Sequence, residues 1–175
     1  DNACRSFALW QSKNNSGKKN KLDVLVFGDP QPKNLKDVSY YQNDIVKPIV
    51  GNHKVALGIS LGDIVHDDLS LLPEIKRIDR ALNSPWLYAA GNHDVDFDAV
   101  NDEGSLESFR EQFGPDTYAW EESLANFIVL DDVVYLPGKS PDYIGGIRET
   151  QFHFLARYLA RADKSKLLVI SAHIP

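Results

Sequence analysis

Four short segments each follow an apolar run with residues that could bind a metal or move a proton: Asp29-Pro30-Gln31, Gly62-Asp63-Ile64-Val65-His66-Asp67, Gly91-Asn92-His93-Asp94 and Ala172-His173-Ile174-Pro175. Taken singly they say little. An Asp or Asn after an apolar run is an ordinary cap or turn former, and a single histidine is an ordinary packed side chain. Together they set hard oxygen donors beside imidazole nitrogen, a mixture that suits Mn, Fe, Zn or Mg rather than copper. Such a set can hold two divalent ions about 3.5–4 Å apart, bridged by a carboxylate and a water.

The elements that must position these residues are legible as apolar runs. Leu22 to Phe27, Val55 to Leu61, Trp86 to Ala90 and Leu167 to Ser171 read as buried strands, and each runs directly into one of the four segments. In an open parallel sheet ligands bind outside the carboxyl ends of the strands, so all four segments are expected on one rim. Between them, Val38, Tyr41, Ile45 and Ile49 recur at spacings of three and four, as do Leu72, Ile75, Ile78 and Leu82. Both sets are stripes of amphipathic helices, and strands alternating with such helices predict a largely parallel α/β arrangement. Further along, Ser105 to Phe113 reads as a helix. Tyr118 to Trp120, Asn126 to Asp131 and Val133 to Leu136 read as consecutive antiparallel strands. Arg148 to Ala162 reads as a helix with Phe152, Leu155 and Leu159 on one face.

Composition narrows the classes. The chain has 175 residues, 43% hydrophobic and 25% charged, enough apolar material to build a core and not a disordered tail. No run approaches the roughly 18 apolar residues of a membrane span. The net charge of −6 argues against a bulk electrostatic grip on nucleic acid. Cys4 is the single cysteine, so neither an internal disulfide nor a thiolate metal site is expected. With no methionine and no visible leader, the chain is expected to be part of a longer protein; a secreted or periplasmic location stays open. Residues 1–21, with the basic Lys13 to Lys21 stretch, read as an extension or linker, and residues 22–175 as the folded domain.

Other histidines fit ordinary roles. Gly51-Asn52-His53 repeats the start of Gly91-Asn92-His93 but precedes its strand, at the opposite edge of the sheet, so His53 reads as a loop residue. His153 lies within a helix. The acidic Asp94 to Glu103 stretch reads as a solvated loop, and with Pro137 to Gly146 it is expected to shape the mouth of the site.

The series D-x-Q, GD-x-V-x-D, GNHD and AHIP resembles the calcineurin-like metallophosphoesterase superfamily in order, spacing and strand context, from Leu22 to Pro175. The resemblance implies an α/β fold: a sandwich of two mixed β-sheets flanked by helices, here truncated on its C-terminal side. It implies a metal-dependent phosphoesterase that hydrolyses a phosphate mono- or diester, or a pyrophosphate, by attack of a metal-bridging hydroxide. The alternative is a phosphoesterase-like binding or scaffold domain without catalysis. By the same resemblance Asp63 bridges two divalent ions, Asp29 and Gln31 bind the first, and Asn92 and His173 bind the second. His93 would assist the leaving oxygen, with Asp94, Asp67 and His66 as candidates for orienting it. The implied partner is a phosphorylated small molecule or ester.

Two departures qualify these expectations. Gln31 stands where the family usually has histidine, which makes the first ion's set harder and weaker. The family's G-H-x-H segment is absent from these residues, whose five histidines cannot supply it, so weak metal binding is expected.

Overall fold

The computed structural model describes residues 7–11, 21–52 and 55–175, with side chains beyond Gln11. His53 and most of the basic Lys13 to Lys21 stretch lie outside the described residues. The first motif-bearing sheet is built from β2 (Val24–Phe27), β3 (Leu57–Ser60) and β4 (Trp86–Tyr88) in the order β2-β3-β4, every pair parallel. The second contains β1 (Phe7–Gln11), β5 (Thr117–Glu121), β6 (Ala125–Val129) and β9 (Leu167–Ser171) in the order β1-β5-β6-β9. This sheet is mixed: β5 and β6 are antiparallel, whereas β1 with β5 and β6 with β9 are parallel.

Alternation along the strands explains the layering. Successive side chains point to opposite faces, so each strand can serve two cores. Leu57, Ile59 and Leu87 meet Tyr118, Phe127 and Val129 between the sheets. The opposite face of the first sheet, with Leu25, Phe27 and Tyr88, packs on the helical layer. That layer includes α1 (Leu35–Tyr40), α2 (Leu72–Asp79) and α3 (Glu107–Phe113). The outer face of the second sheet, with Ala119 and Ile128, receives Phe154, Leu155 and Tyr158 of α4 (Glu149–Leu159). The result is a four-layer α/β sandwich.

Four expectations change in detail. The first helix has Asn34 as its cap, accepting from Lys36 N and Asp37 N, but Tyr41–Val46 continues it as a π-helix. A π turn adds a residue to the i→i+4 repeat, so the face after Tyr41 is resumed by Val46 and Ile45 points to solvent. On α4 the inward residue is Gln151, not Phe152, which is 57% exposed. The buried amide is satisfied: Gln151 Nε2 donates to Thr117 Oγ1 at 2.9 Å and to Asp131 O at 2.8 Å.

Val133–Tyr135 (β7) leaves the second sheet and pairs antiparallel with Tyr143–Gly145 (β8), which lies in the Pro137 to Gly146 loop. Finally, β9 is an edge strand rather than a buried one. Among the described residues it pairs only with β6, and Leu168 and Ile170 are 40% and 50% exposed.

A buried carboxylate ties the first helices to β4. Asp79 accepts from the hydroxyls of Tyr41 at 2.6 Å and Tyr88 at 2.9 Å. Burial pushes its carboxyl up to about 6 from an ordinary 3.8, while the two hydroxyls pull the other way. The folded state thus holds this proton more tightly than the unfolded chain does. Stability from this group is present below the unfolded value and falls as pH rises from about 4 to about 6, by at most about 3 kcal/mol. Urea midpoints at about pH 4.5 and about pH 6.5 should drop in the parent and drop less in Asp79→Asn. Equal slopes in the two proteins would reject this origin.

Candidate metal centre

The carboxyl ends of β2, β3, β4 and β9 deliver their loops to one rim, and the donors meet there. His173 supplies the reference point. Its Nδ1–H donates to the carbonyl of Leu61 at 2.9 Å, which leaves Nε2 with a free lone pair. That nitrogen faces Asn92 Oδ1 at 3.2 Å and Asp63 Oδ1 at 3.3 Å. Asp29 Oδ1 stands 3.7 Å from the other ring nitrogen, and Asp29, Asp63 and His173 each offer a ligand atom within 4.8 Å of the others.

This contact is the test of whether a cation belongs here. An imidazole lone pair, a carboxamide oxygen and a carboxylate oxygen are all acceptors, and three acceptors at such distances repel unless a positive charge lies among them. Asp63 is buried, and among the described residues no lysine or arginine pairs with Asp29 or Asp63. A buried carboxylate without a lysine or arginine partner is costly, and a hard divalent ion is the natural counter-charge for this set. The donors fit the group.

The backbone is bent to make the convergence possible. Asp29, Gln31, Asp63 and Asp67 have φ of +49°, +39°, +48° and +66°, in the left-handed region that side chains other than glycine rarely enter. Each such residue costs about 1–3 kcal/mol, and such strain concentrates at functional sites. Two glycines are required by close approach. A Cβ on Gly91 would fall 2.1 Å from Asp63 N and 2.2 Å from Asp63 Oδ1, and one on Gly62 (φ +97°) would fall 2.7 Å from His173 Nδ1.

The loops are also laced to one another. Asp63 Oδ1 accepts from His93 N at 3.0 Å, and Gln31 N donates to Asp63 O at 3.1 Å. The Gln31 side chain turns its Nε2 to Asp63 Oδ2 at 2.6 Å, so the amide nitrogen rather than the oxygen meets the central carboxylate.

Asp94 does not touch His93's ring. Its carboxylate is fully buried and accepts from Gly91 N at 2.9 Å and from Ile64 N and Val65 N at 3.1 Å each. Burial pushes its carboxyl up to about 7, with the three amides opposing. Asp94 therefore clasps two loops together. Asp67 makes the contact instead: His93 Nδ1–H donates to Asp67 Oδ1 at 2.6 Å. His66 lies against the other side, its ring stacked on His93 at 4.3 Å between centroids. His153 stays out on α4, exposed and 3.9 Å from Glu149.

One positioning residue escaped the motif reading. Asp132 accepts from His173 N at 3.0 Å and from Ile174 N at 2.9 Å, fixing the loop after β9. The signal was available, since Asp131 and Asp132 directly follow the apolar Ala125–Leu130 run. Because β6 and β9 are parallel, their carboxyl ends share the rim. Asp131 itself pairs with Arg148 Nη1 at 2.9 Å, and the same guanidinium grips Asp102 with two bonds of 2.6 Å.

A family model described as calcineurin-like phosphoesterase matches residues 22–175. The chain belongs to that family. Among solved structures, a dimetal phosphatase from Danio rerio is similar to this calcineurin-like phosphoesterase, with a TM-score of 0.60. The likeness covers 88% of this chain and 70% of that chain at 17% sequence identity, a level that speaks to the fold. None of the curated proteins matches the chain. Among the described residues of this family member, no helix is long and apolar enough to cross a membrane.

Proposed function

We propose that this calcineurin-like phosphoesterase hydrolyses a phosphate mono- or diester, or a pyrophosphate, with two divalent ions held at the rim. The observation that carries the reading is the meeting of acceptors from three strands in two sheets, with His173 Nε2 3.2 Å from Asn92 Oδ1 and 3.3 Å from Asp63 Oδ1. In this assignment Asp63 would be shared by the ions, and Asp29, Asn92 and His173 would complete the set that holds them. Gln31 steadies Asp63 through its amide. When bound, such ions neutralise phosphoryl oxygens and make water a nucleophile near neutral pH.

The remaining work falls to the chain's own side chains. With Nδ1–H committed to Asp67, the nitrogen that His93 has left for a substrate is Nε2. Protonated there, it donates to the oxygen that departs from phosphorus, and Asp67 stabilises the charged ring until the proton leaves. Asp94 and Asp132 act without touching substrate: the first locks the His93 turn to the Asp63 loop, and the second holds His173.

The test is turnover of a chromogenic phosphodiester with added manganese. Hydrolysis that EDTA abolishes and manganese restores is the expected result. No hydrolysis together with no bound metal would overturn the assignment in favour of a binding module.

A further inference from the structure

Beside the metal centre, His66, Asp67 and His93 form a second cluster whose ligand-capable atoms lie within 4.8 Å of one another. Its geometry disfavours a third ion. Imidazole binds a cation along the lone pair in its ring plane, at about 2.0–2.1 Å for zinc. The two rings are stacked with only 24° between their planes, so an ion between them would lie well out of both. His66 Nε2 is also 3.9 Å from Asp67, beyond hydrogen-bond reach.

We infer that His66 is a positioning residue for His93, acting through the face of its ring; the inference rests on the reading of His93 as the proton donor. His93 sits on a three-residue turn, Asn92–Asp94, and has an in-plane tether to Asp67. A single hydrogen bond leaves the ring free to tilt about the bond's axis. A flat surface against one face removes that freedom and fixes where Nε2 points.

His66 is itself well anchored for this purpose. Its N–H donates to Pro32 O at 3.1 Å, and the next residue's N–H donates to His93 O at 3.2 Å. Its Nδ1 is buried and has no hydrogen-bond partner among the described residues. An unpaired buried nitrogen costs stability, so the ring is placed for its shape and not for a hydrogen bond. The role therefore belongs to the flat face, which phenylalanine also has and alanine lacks.

The experiment compares the parent with His66→Phe and His66→Ala in the manganese-loaded protein. A displaced catalytic group costs up to about 100-fold in rate per ångström, so His66→Ala is expected to lower kcat roughly tenfold with KM and bound manganese unchanged. His66→Phe is expected to restore kcat to within about twofold and to melt no lower than the parent, since it removes the unpaired nitrogen.

A second readout needs no turnover. The His93 Nδ1–H proton, shifted downfield by its bond to Asp67, should be visible by NMR in the metal-free parent and in His66→Phe. It should broaden in His66→Ala, as the freed ring tilts, and be lost in Asp67→Asn as a control. If no protein hydrolyses substrate but this pattern holds, the phosphoesterase reading fails and the positioning inference stands. An unchanged proton signal and unchanged kcat in His66→Ala overturn it. So does a His66→Phe protein as impaired as His66→Ala, which would assign the role to a ring nitrogen.

Discussion

Asp63→Asn is expected to remove bound metal and hydrolysis together while leaving the fold in place. The substitution keeps the shape of the side chain and one oxygen that can still accept from His93 N, now 3.0 Å from Oδ1. What disappears is the negative charge at the point where Gln31, His93 and His173 all converge. The neutral amide also turns a donor toward Gln31 Nε2 unless the Gln31 amide rotates, which it can do at little cost. A protein-bound divalent ion draws much of its affinity from carboxylate charge, and altering even outer partners of a ligand typically costs about 10–100-fold. Loss of the central carboxylate should exceed that. Calorimetric titration with manganese, beside a urea melt showing a midpoint close to the parent's, checks both halves. A variant that binds manganese as the parent does would remove Asp63 from the centre.

His93→Ala should do the opposite: metal stays and turnover goes. The backbone N–H of residue 93, which supports Asp63 Oδ1, survives the change, and no donor of the proposed ion sites is removed. The departing oxygen loses its proton donor, a loss typically worth about 10²–10⁴ in rate. The defect should shrink for substrates whose leaving group is already acidic, because such an oxygen departs without protonation. Comparing a nitrophenyl ester with an alkyl ester in parent and variant reads this directly. Equal losses on the two esters would mean that His93 acts on the phosphoryl group and not on the leaving oxygen.

The four strand ends were legible because each strand is a continuous apolar run that chemistry-bearing residues interrupt abruptly. Order and approximate ends of the elements followed from that pattern. The misreadings share a cause: each depended on a contact from elsewhere in the chain. Ile45 and Val46 are both apolar, and only the π turn decides which faces inward. Phe152 looks like core and Gln151 like surface until Thr117 and Asp131 are seen to satisfy the amide. Nothing local tells Val133–Tyr135 to leave the sheet and take Tyr143–Gly145 as its partner.

The same holds within the site. Asp67, Asp94 and His66 were equal candidates for orienting His93, since spacing in a loop does not say where a side chain points. In the fold the Asp67 carboxylate is the one that meets the His93 ring. Asp132 was hidden because the strand before it was read as antiparallel to its neighbours on both sides, whereas its partner β9 runs parallel.

The lacing of the rim has a kinetic consequence. Asp94 spans the Asp63 and His93 loops, Gln31 N reaches Asp63 O, and Leu61 holds the His173 ring, each through a hydrogen bond between groups of the chain itself. The entropy of gathering these segments is therefore spent while the chain folds and not when a cation arrives. Loading should then be paced by the ion shedding its hydration shell rather than by loops searching for one another, so a slowly dehydrating ion such as Mg²⁺ would enter more slowly than Mn²⁺ at the same rim.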